Sequence, residues 1–276
     1  MDIVVVRGAG DLATGTILRL YRAGLMVVAL DVERPTVIRR TVAFAEALFS
    51  GSCVVEGVRA VKVDSVPAAL SALVSGNIPV LADPKGSTIE AFHPVVLIDA
   101  ILAKRNMGTK ITMAPFVVAL GPGFRAGIDC HCVVETQRGH YLGTVIRNGS
   151  AAPNTGIPGV IAGHGADRVL RAPCEGVFRT VCEIGDLVHA DDVVATVGED
   201  SCPVKATIDG VLRGLLHDGL EVTPGFKVGD IDPRGNQEFI HTVSDKARAV
   251  AGGVLEAVDG YLRSSSFVSR TADKQR

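Results

Sequence analysis

The chain has 276 residues, 47% of them hydrophobic and 21% charged, with a formal net charge of −2. That balance fits a globular protein with one large core or two ordinary ones and excludes extended disorder. The scattered lysines and arginines, clustered only at Arg39-Arg40, give no footprint for nucleic acid. The longest apolar stretches, Pro94 to Ala103 and Met113 to Leu120, are too short to span a bilayer. The start of the chain runs straight into a strand pattern without a basic leader, so a cytoplasmic location is expected.

Ile3 to Val6 reads as a strand buried on both faces, followed by Gly8-Ala9-Gly10-Asp11-Leu12-Ala13-Thr14-Gly15 and an amphipathic run to Arg22. Strand, glycine turn and helix match the Gly-x-Gly-x-x-Gly/Ala dinucleotide fingerprint. Gly8 would make the tight turn and Gly10 would let backbone approach a phosphate. Ala13 would pack the helix on the sheet, and Thr14 and Gly15 complete the frame. The next apolar run, Met26 to Leu30, ends in Asp31, placed to meet a ribose hydroxyl. Asp11 argues the other way, because a carboxylate beside the site repels phosphate unless it caps the helix or meets a cation.

Alternation continues through a helix near Pro35 to Phe49, strand-like runs from Cys53 to Val63, a helix from Pro67 to Val74 and strands at Ile78 to Ala82 and Val95 to Ile98. This predicts a Rossmann-like parallel sheet over residues 1–165, with ligands at the carboxyl ends of its strands. Lys85, in the turn after one such end, either reaches the same crevice as Gly10 or is a solvated turn lysine. Cys130-His131-Cys132 is the one cluster that invites a metal. On a strand the two thiols share a face and the imidazole points away, so no metal site is expected. Further on, Arg138 and His140 stand in a glycine-rich setting, where they either flank a ligand or form a polar hairpin turn. No catalytic residue can be named.

From Ala172 the chain is written twice. Ala172, Gly176, Arg179, Gly185 and Val188 recur as Ala206, Gly210, Arg213, Gly219 and Val222, each at the same offset. Short Val/Ile/Leu runs broken by Gly-Asp and Asp-Gly turns make each copy a set of β-hairpins, and the whole a pseudo-twofold β-structure. Ala172-Pro173 with Gly176-Val177 and Gly185-Asp186 resembles the biotinyl/lipoyl domain pattern, so a small all-β barrel-sandwich hybrid is expected over residues 166–240. The turn between copies, Gly198 to Pro203, holds no lysine, and the nearest, Lys205, abuts Ala206, where the second copy has begun. No covalent biotin or lipoate is therefore expected. Ser244 caps an amphipathic helix, giving a helical segment over 241–263, and residues 264–276 are expected as a polar, disordered tail.

Several motifs taken together resemble the YqeB-type accessory proteins of selenium-dependent molybdenum hydroxylases. They are Arg7 to Gly15, Leu120-Gly121-Pro122-Gly123-Phe124, Glu135-Thr136 with Arg138-Gly139-His140, Gly229-Asp230-Ile231-Asp232-Pro233-Arg234 and Ser244 to Arg248. The family's first part is similar to xanthine dehydrogenase accessory proteins of the XdhC type. The resemblance implies a maturation factor that binds the molybdenum cofactor or a (di)nucleotide, NAD(P) among them. Its expected partner is a molybdenum hydroxylase apoenzyme, with self-association left open. The alternative is an NAD(P)-dependent oxidoreductase with His140 or Asp83 in acid-base work.

Overall fold

A computed structural model describes residues 2–273. In chain order its first strands and helices are β1 (Ile3–Arg7), α1 (Asp11–Arg22), β2 (Met26–Asp31), α2 (Ala47–Ser50), β3 (Ser52–Val55), β4 (Val58–Val63), α3 (Val66–Val74), β5 (Ile78–Ala82), α4 (Ile89–Phe92), β6 (Val96–Asp99), β7 (Phe116–Leu120), β8 (Cys132–Val134) and β9 (Val145–Ile146). There follow β10 (Val169–Arg171), β11 (Gly176–Thr180), β12 (Leu187–Val188), β13 (Val193–Val197), β14 (Cys202–Lys205), β15 (Gly210–Leu215), β16 (Glu221–Val222), β17 (Lys227–Asp232) and α5 (Asp245–Asp273). Of the polar tail expected from residue 264, the part up to Asp273 continues α5, and 274–276 lie outside the described residues.

The first nine strands form one sheet in the order β3-β4-β5-β2-β1-β6-β7-β8-β9. Seven of them run parallel, while β3 and β9 pair antiparallel at the two edges. The remaining strands form two four-stranded antiparallel sheets, β10-β17-β15-β12 and β14-β13-β11-β16. This corrects the expected Rossmann-like parallel sheet with a biotinyl/lipoyl-like module: the large sheet is mixed, and the second part is a pair of sheets. The physical reason is that apolar runs report burial and say nothing of direction. Cys53 to Val63 turns back on itself through Glu56 and Gly57, both at positive φ, and becomes an antiparallel hairpin. Among the described residues, no helix of more than one turn lies between β6 and β7 or between β7 and β8.

Both faces of the large sheet are covered. Val4, Val6, Val27 and Ala29 pack with Ile17, Leu20, Val250 and Val254 of α1 and α5. Their sequence neighbours Val5, Val28 and Leu30 pack with Ala69 and Leu73 of α3 on the other face. That division is the period-two alternation of strands buried twice over. The segment expected as a helix near Pro35 to Phe49 is instead a strap of single turns. Val42, Ala43, Phe44, Ala45 and Ala47 are all buried, which a one-sided surface helix does not permit.

The internal repeat has a direct structural meaning. An offset of 34 residues carries Gly176 of β11 onto Gly210 of β15 and Val188 of β12 onto Val222 of β16. Counting with each copy the strand that precedes it, β10–β13 and β14–β17, each small sheet takes two strands from each copy, and the exchange of copies maps the order of one sheet onto the other. Leu170, Phe178, Val194, Leu212, Leu215 and Ile231 fill the shared core, joined by Ile38 and Phe49 of the strap.

Candidate functional site

The glycine turn after β1 is braced from several sides. Gly8 lies at φ +105°, its N–H donates to the Leu30 carbonyl at 2.6 Å, and a side-chain carbon there would fall 2.6 Å from the Ala100 carbonyl. Asp31 accepts the Ala9 N–H at 2.7 Å with one carboxylate oxygen and the Val32 N–H at 2.7 Å with the other. Burial pushes its carboxyl upward against those two hydrogen bonds. Thr14 is fully buried; its hydroxyl donates to the Ala9 carbonyl at 3.2 Å and accepts the Phe44 N–H at 2.8 Å. Ala13 is buried, and Gly15 admits α5, since a carbon there would lie 2.8 Å from the Ala247 Cβ. Gly10 and Asp11 are left facing outward from the start of α1, which has no side-chain cap.

The strand ends carry other chemistry. Buried Arg7 donates to Thr109 at 2.5 Å and to the Pro84 carbonyl at 3.1 Å, and pairs with Asp99 at 3.6 Å. Lys85 sits exposed in its turn, and His140 is exposed with Tyr141 edge-on at 5.0 Å. Asp83 accepts the N–H and O–H groups of both Ser87 and Thr88 at 2.8–2.9 Å. Burial works to raise its carboxyl, but these four bonds outweigh it and hold the group below the usual range. Cys130 and Cys132 are buried, and burial pushes their thiols to about 12 and about 11. His131 Nδ1 accepts the Val117 N–H at 2.9 Å. Among the described residues no group of three or more His, Cys, Asp or Glu is arranged to hold a metal ion.

The charged residues converge elsewhere, in a cleft of about 360 Å³ between the strap, the small sheets and the start of α5. Arg39, Arg138, Arg213, Arg234 and Arg248 line it, with Asp245 as the single carboxylate, and Ile161, Phe239 and Val243 supply apolar wall. Arg39 is only 6% exposed; its Nη2 donates to the Phe239 and Thr242 carbonyls at 2.9 and 3.1 Å, and its Nη1 lies 4.0 Å from Asp11. Its Nε–H is buried without a hydrogen-bond partner. Burial, then the Arg213 guanidinium, draws the Arg39 guanidinium down from its ordinary value. Such an unmet donor costs roughly 1–3 kcal/mol, which an anion beside the guanidinium offsets.

Strand β17 supplies the scaffold. Asp230 and Asp232, two apart and fully buried, face the same way. Arg213, at a register shift in β15, donates to Asp230 at 2.6 Å and Asp232 at 3.2 Å. Arg168 bonds Asp230 as well, and Arg234 donates to Asp232 at 2.7 Å while its guanidinium lies 4.3 Å over the Phe239 ring. Burial works to raise the Asp232 carboxyl, but Arg234 and Arg213 hold it low. On the opposite wall Arg138 grips Asp245 with two bonds of 2.6 and 2.8 Å. That grip, then the Lys246 N–H, keeps the Asp245 carboxyl at about 2.

Of the residues singled out in the sequence, Arg138 lines this cleft, while Asp11, next to Gly10 at the start of α1, lies 4.0 Å from Arg39 without lining it. Gly8, Ala13, Thr14, Gly15 and Asp31 build the turn behind it, while Lys85 and His140 are not among its lining residues. Arg39, Arg213, Arg234, Arg248 and Asp245 escaped sequence reasoning as site residues. The available signal was the Arg39-Arg40 pair and the Gly229 to Arg234 and Ser244 to Arg248 motifs, of whose charged positions Arg39, Arg234, Asp245 and Arg248 line the cleft.

No protein-family model matches the chain. It is 55% identical over 257 residues to the uncharacterized protein YqeB of Escherichia coli (strain K12), a match that covers 93% of this chain and 47% of that protein. The likeness to YqeB therefore holds along nearly the whole chain, and the chain spans about half the length of that relative. Among solved structures, an aspartoacylase family protein from Mesorhizobium loti is 10% identical, with 83% of this chain and 84% of that one covered and a TM-score of 0.28. The ectoine utilization protein EutE from Ruegeria pomeroyi is 11% identical, with 83% and 85% covered and a TM-score of 0.26. Likenesses that small carry no functional argument. No helix among the described residues is long and apolar enough to cross a membrane.

Proposed function

We propose that this chain is a cytoplasmic accessory protein that holds a phosphate-bearing ligand, the molybdenum cofactor or a nucleotide, in the arginine-lined cleft and passes it to a molybdenum hydroxylase apoenzyme. The observation that carries the ligand class is the lining itself: five arginines line the cleft beside one carboxylate, Asp245, while Asp230 and Asp232 behind Arg213 and Arg234, Glu56 beside Arg248 at 2.8 Å and Asp11 beside Arg39 hold them in place. Guanidinium groups bind phosphate oxygens in a fixed fork, and helix N-termini add free N–H groups and partial positive charge. The hydroxylase partner rests on the resemblance to YqeB-type accessory proteins. No nucleophile paired with a general base lines the cleft among the described residues, so holding and transfer suit it better than bond making. The oxidoreductase alternative draws less support, because all four hydrogen bonds to Asp83 come from Ser87 and Thr88 and His140 is not among the residues that line the cleft.

The test is a thermal-shift titration with NAD, NADP, ATP, CTP and molybdenum cofactor, with Arg234→Gln as the control. Stabilisation by one phosphate-bearing ligand, lost in the control, is the expected result. No shift with any of them would overturn the reading, and selective stabilisation by a nicotinamide nucleotide would turn it toward redox chemistry.

A further inference from the structure

We infer that Asp245 is a resident stand-in for one of two phosphate groups, and that the cleft takes a diphosphate-bearing ligand rather than a monophosphate. The inference rests on the cleft being a phosphate site. Four of its arginines form two groups, and the fifth, Arg248, is paired with Glu56 at 2.8 Å. Arg138 grips the Asp245 carboxylate with two nitrogens at 2.6 and 2.8 Å at the first residue of α5, and Arg234 lines the same cleft. A bidentate guanidinium at a helix N-terminus, with a second guanidinium lining the same cleft, is the donor set of a phosphate subsite, here filled from within. Arg39 and Arg213, which line the cleft as well, form the second group, and there Arg39 keeps a buried Nε–H with no partner.

Two features make the carboxylate exchangeable. The Asp245 side chain is 73% exposed, so it can swing into water without uncovering any core. The start of α5 does not need it, because the Ser244 hydroxyl accepts the Ala247 N–H at 3.1 Å and the Ser244 carbonyl accepts the Arg248 N–H at 2.9 Å. An exposed ion pair of this kind contributes little to stability and yields readily to a dianion. One phosphate then replaces Asp245 against Arg138 while the other meets Arg39.

The inference is tested by calorimetric titration of the full chain with inorganic phosphate and pyrophosphate, using Asp245→Asn, Arg138→Gln and the double variant, each checked for fold by circular dichroism. Pyrophosphate should bind the unaltered protein at least about tenfold more tightly than phosphate, because the second group binds at high effective concentration. Asp245→Asn should tighten pyrophosphate by about tenfold, and the gain should vanish when Arg138→Gln is added, since the carboxylate competes for that fork. Equal binding of phosphate and pyrophosphate overturns the two-phosphate inference and leaves the phosphate site standing. An Asp245→Asn protein with unchanged pyrophosphate affinity overturns the stand-in role alone. Absence of binding by either anion to every variant overturns the phosphate site and this inference with it.

Discussion

Asp31 holds the glycine turn together, because its two carboxylate oxygens satisfy the Ala9 and Val32 N–H groups that the turn leaves without backbone partners. Replacing it by Ala strands the Ala9 N–H and should cost about 1–3 kcal/mol, read as a lower urea midpoint, with Asp31→Asn costing less. An Asp31→Ala protein as stable as the parent would mean that water serves the turn equally well. Asp245 behaves differently, since its carboxyl lies at about 2 against an ordinary 3.8. A pKa lowered in the fold gives stability that is present above the ordinary value and lost as the pH falls through the folded one. The Arg138 pair therefore contributes at neutral pH and weakens between about pH 4 and pH 2. Urea midpoints measured across that window should fall less steeply in Asp245→Asn than in the parent, and parallel curves would remove the pair from the acid response.

Helix α5 shows how much an element's sequence discloses. Its start at Ser244 and its apolar stripe are legible from capping and periodicity. That it closes one face of a sheet built from the first half of the chain is not, because no local pattern names a distant partner. Two adjacent glycines record that partner. A methyl group at exposed Gly252 meets nothing, so Gly252→Ala should gain about 0.5–1 kcal/mol from helix propensity alone. At buried Gly253 the same methyl strikes the Gly143 carbonyl, so Gly253→Ala should lose about 1–3 kcal/mol despite the same propensity gain. Opposite signs in two neighbouring substitutions, measured by thermal melts, would confirm the close approach; a gain at both would place α5 farther from that loop. Direction is the other illegible quantity. Val/Ile runs in β3 and β9 read like any buried strand, yet the hairpin at Glu56-Gly57 and the pairing of Val133 with Ile146 make both edges antiparallel. The repeat fared better, because a fixed offset in glycines and valines is a statement about geometry that survives folding.

At the scale of the molecule, the strap between β2 and β3 decides whether the large sheet and the repeat act as one body. Its Ile38 and Phe49 enter the core of the small sheets, the Leu215 N–H donates to the Ile38 carbonyl at 2.8 Å, and Arg40 and Arg34 bond the Leu215 and Gly219 carbonyls at 2.9 and 2.7 Å. The same strap carries Arg39 into the cleft, so the site exists only where the two parts meet. Sequence reasoning placed the phosphate at the glycine turn because that motif is local; the arginines come from positions as far apart as Arg39 and Arg248, which nothing short of the fold brings together. A shared core and a shared site predict one cooperative unfolding transition in calorimetry. Ile38→Asp buries a charge among Leu and Val side chains and should split the transition in two, with the repeat melting first. It should also abolish ligand stabilisation, since Arg39 would no longer be held against Phe239 and Thr242. Two transitions in the unaltered protein would show instead that the strap is a tether, and that the cleft is assembled only when ligand draws its walls together.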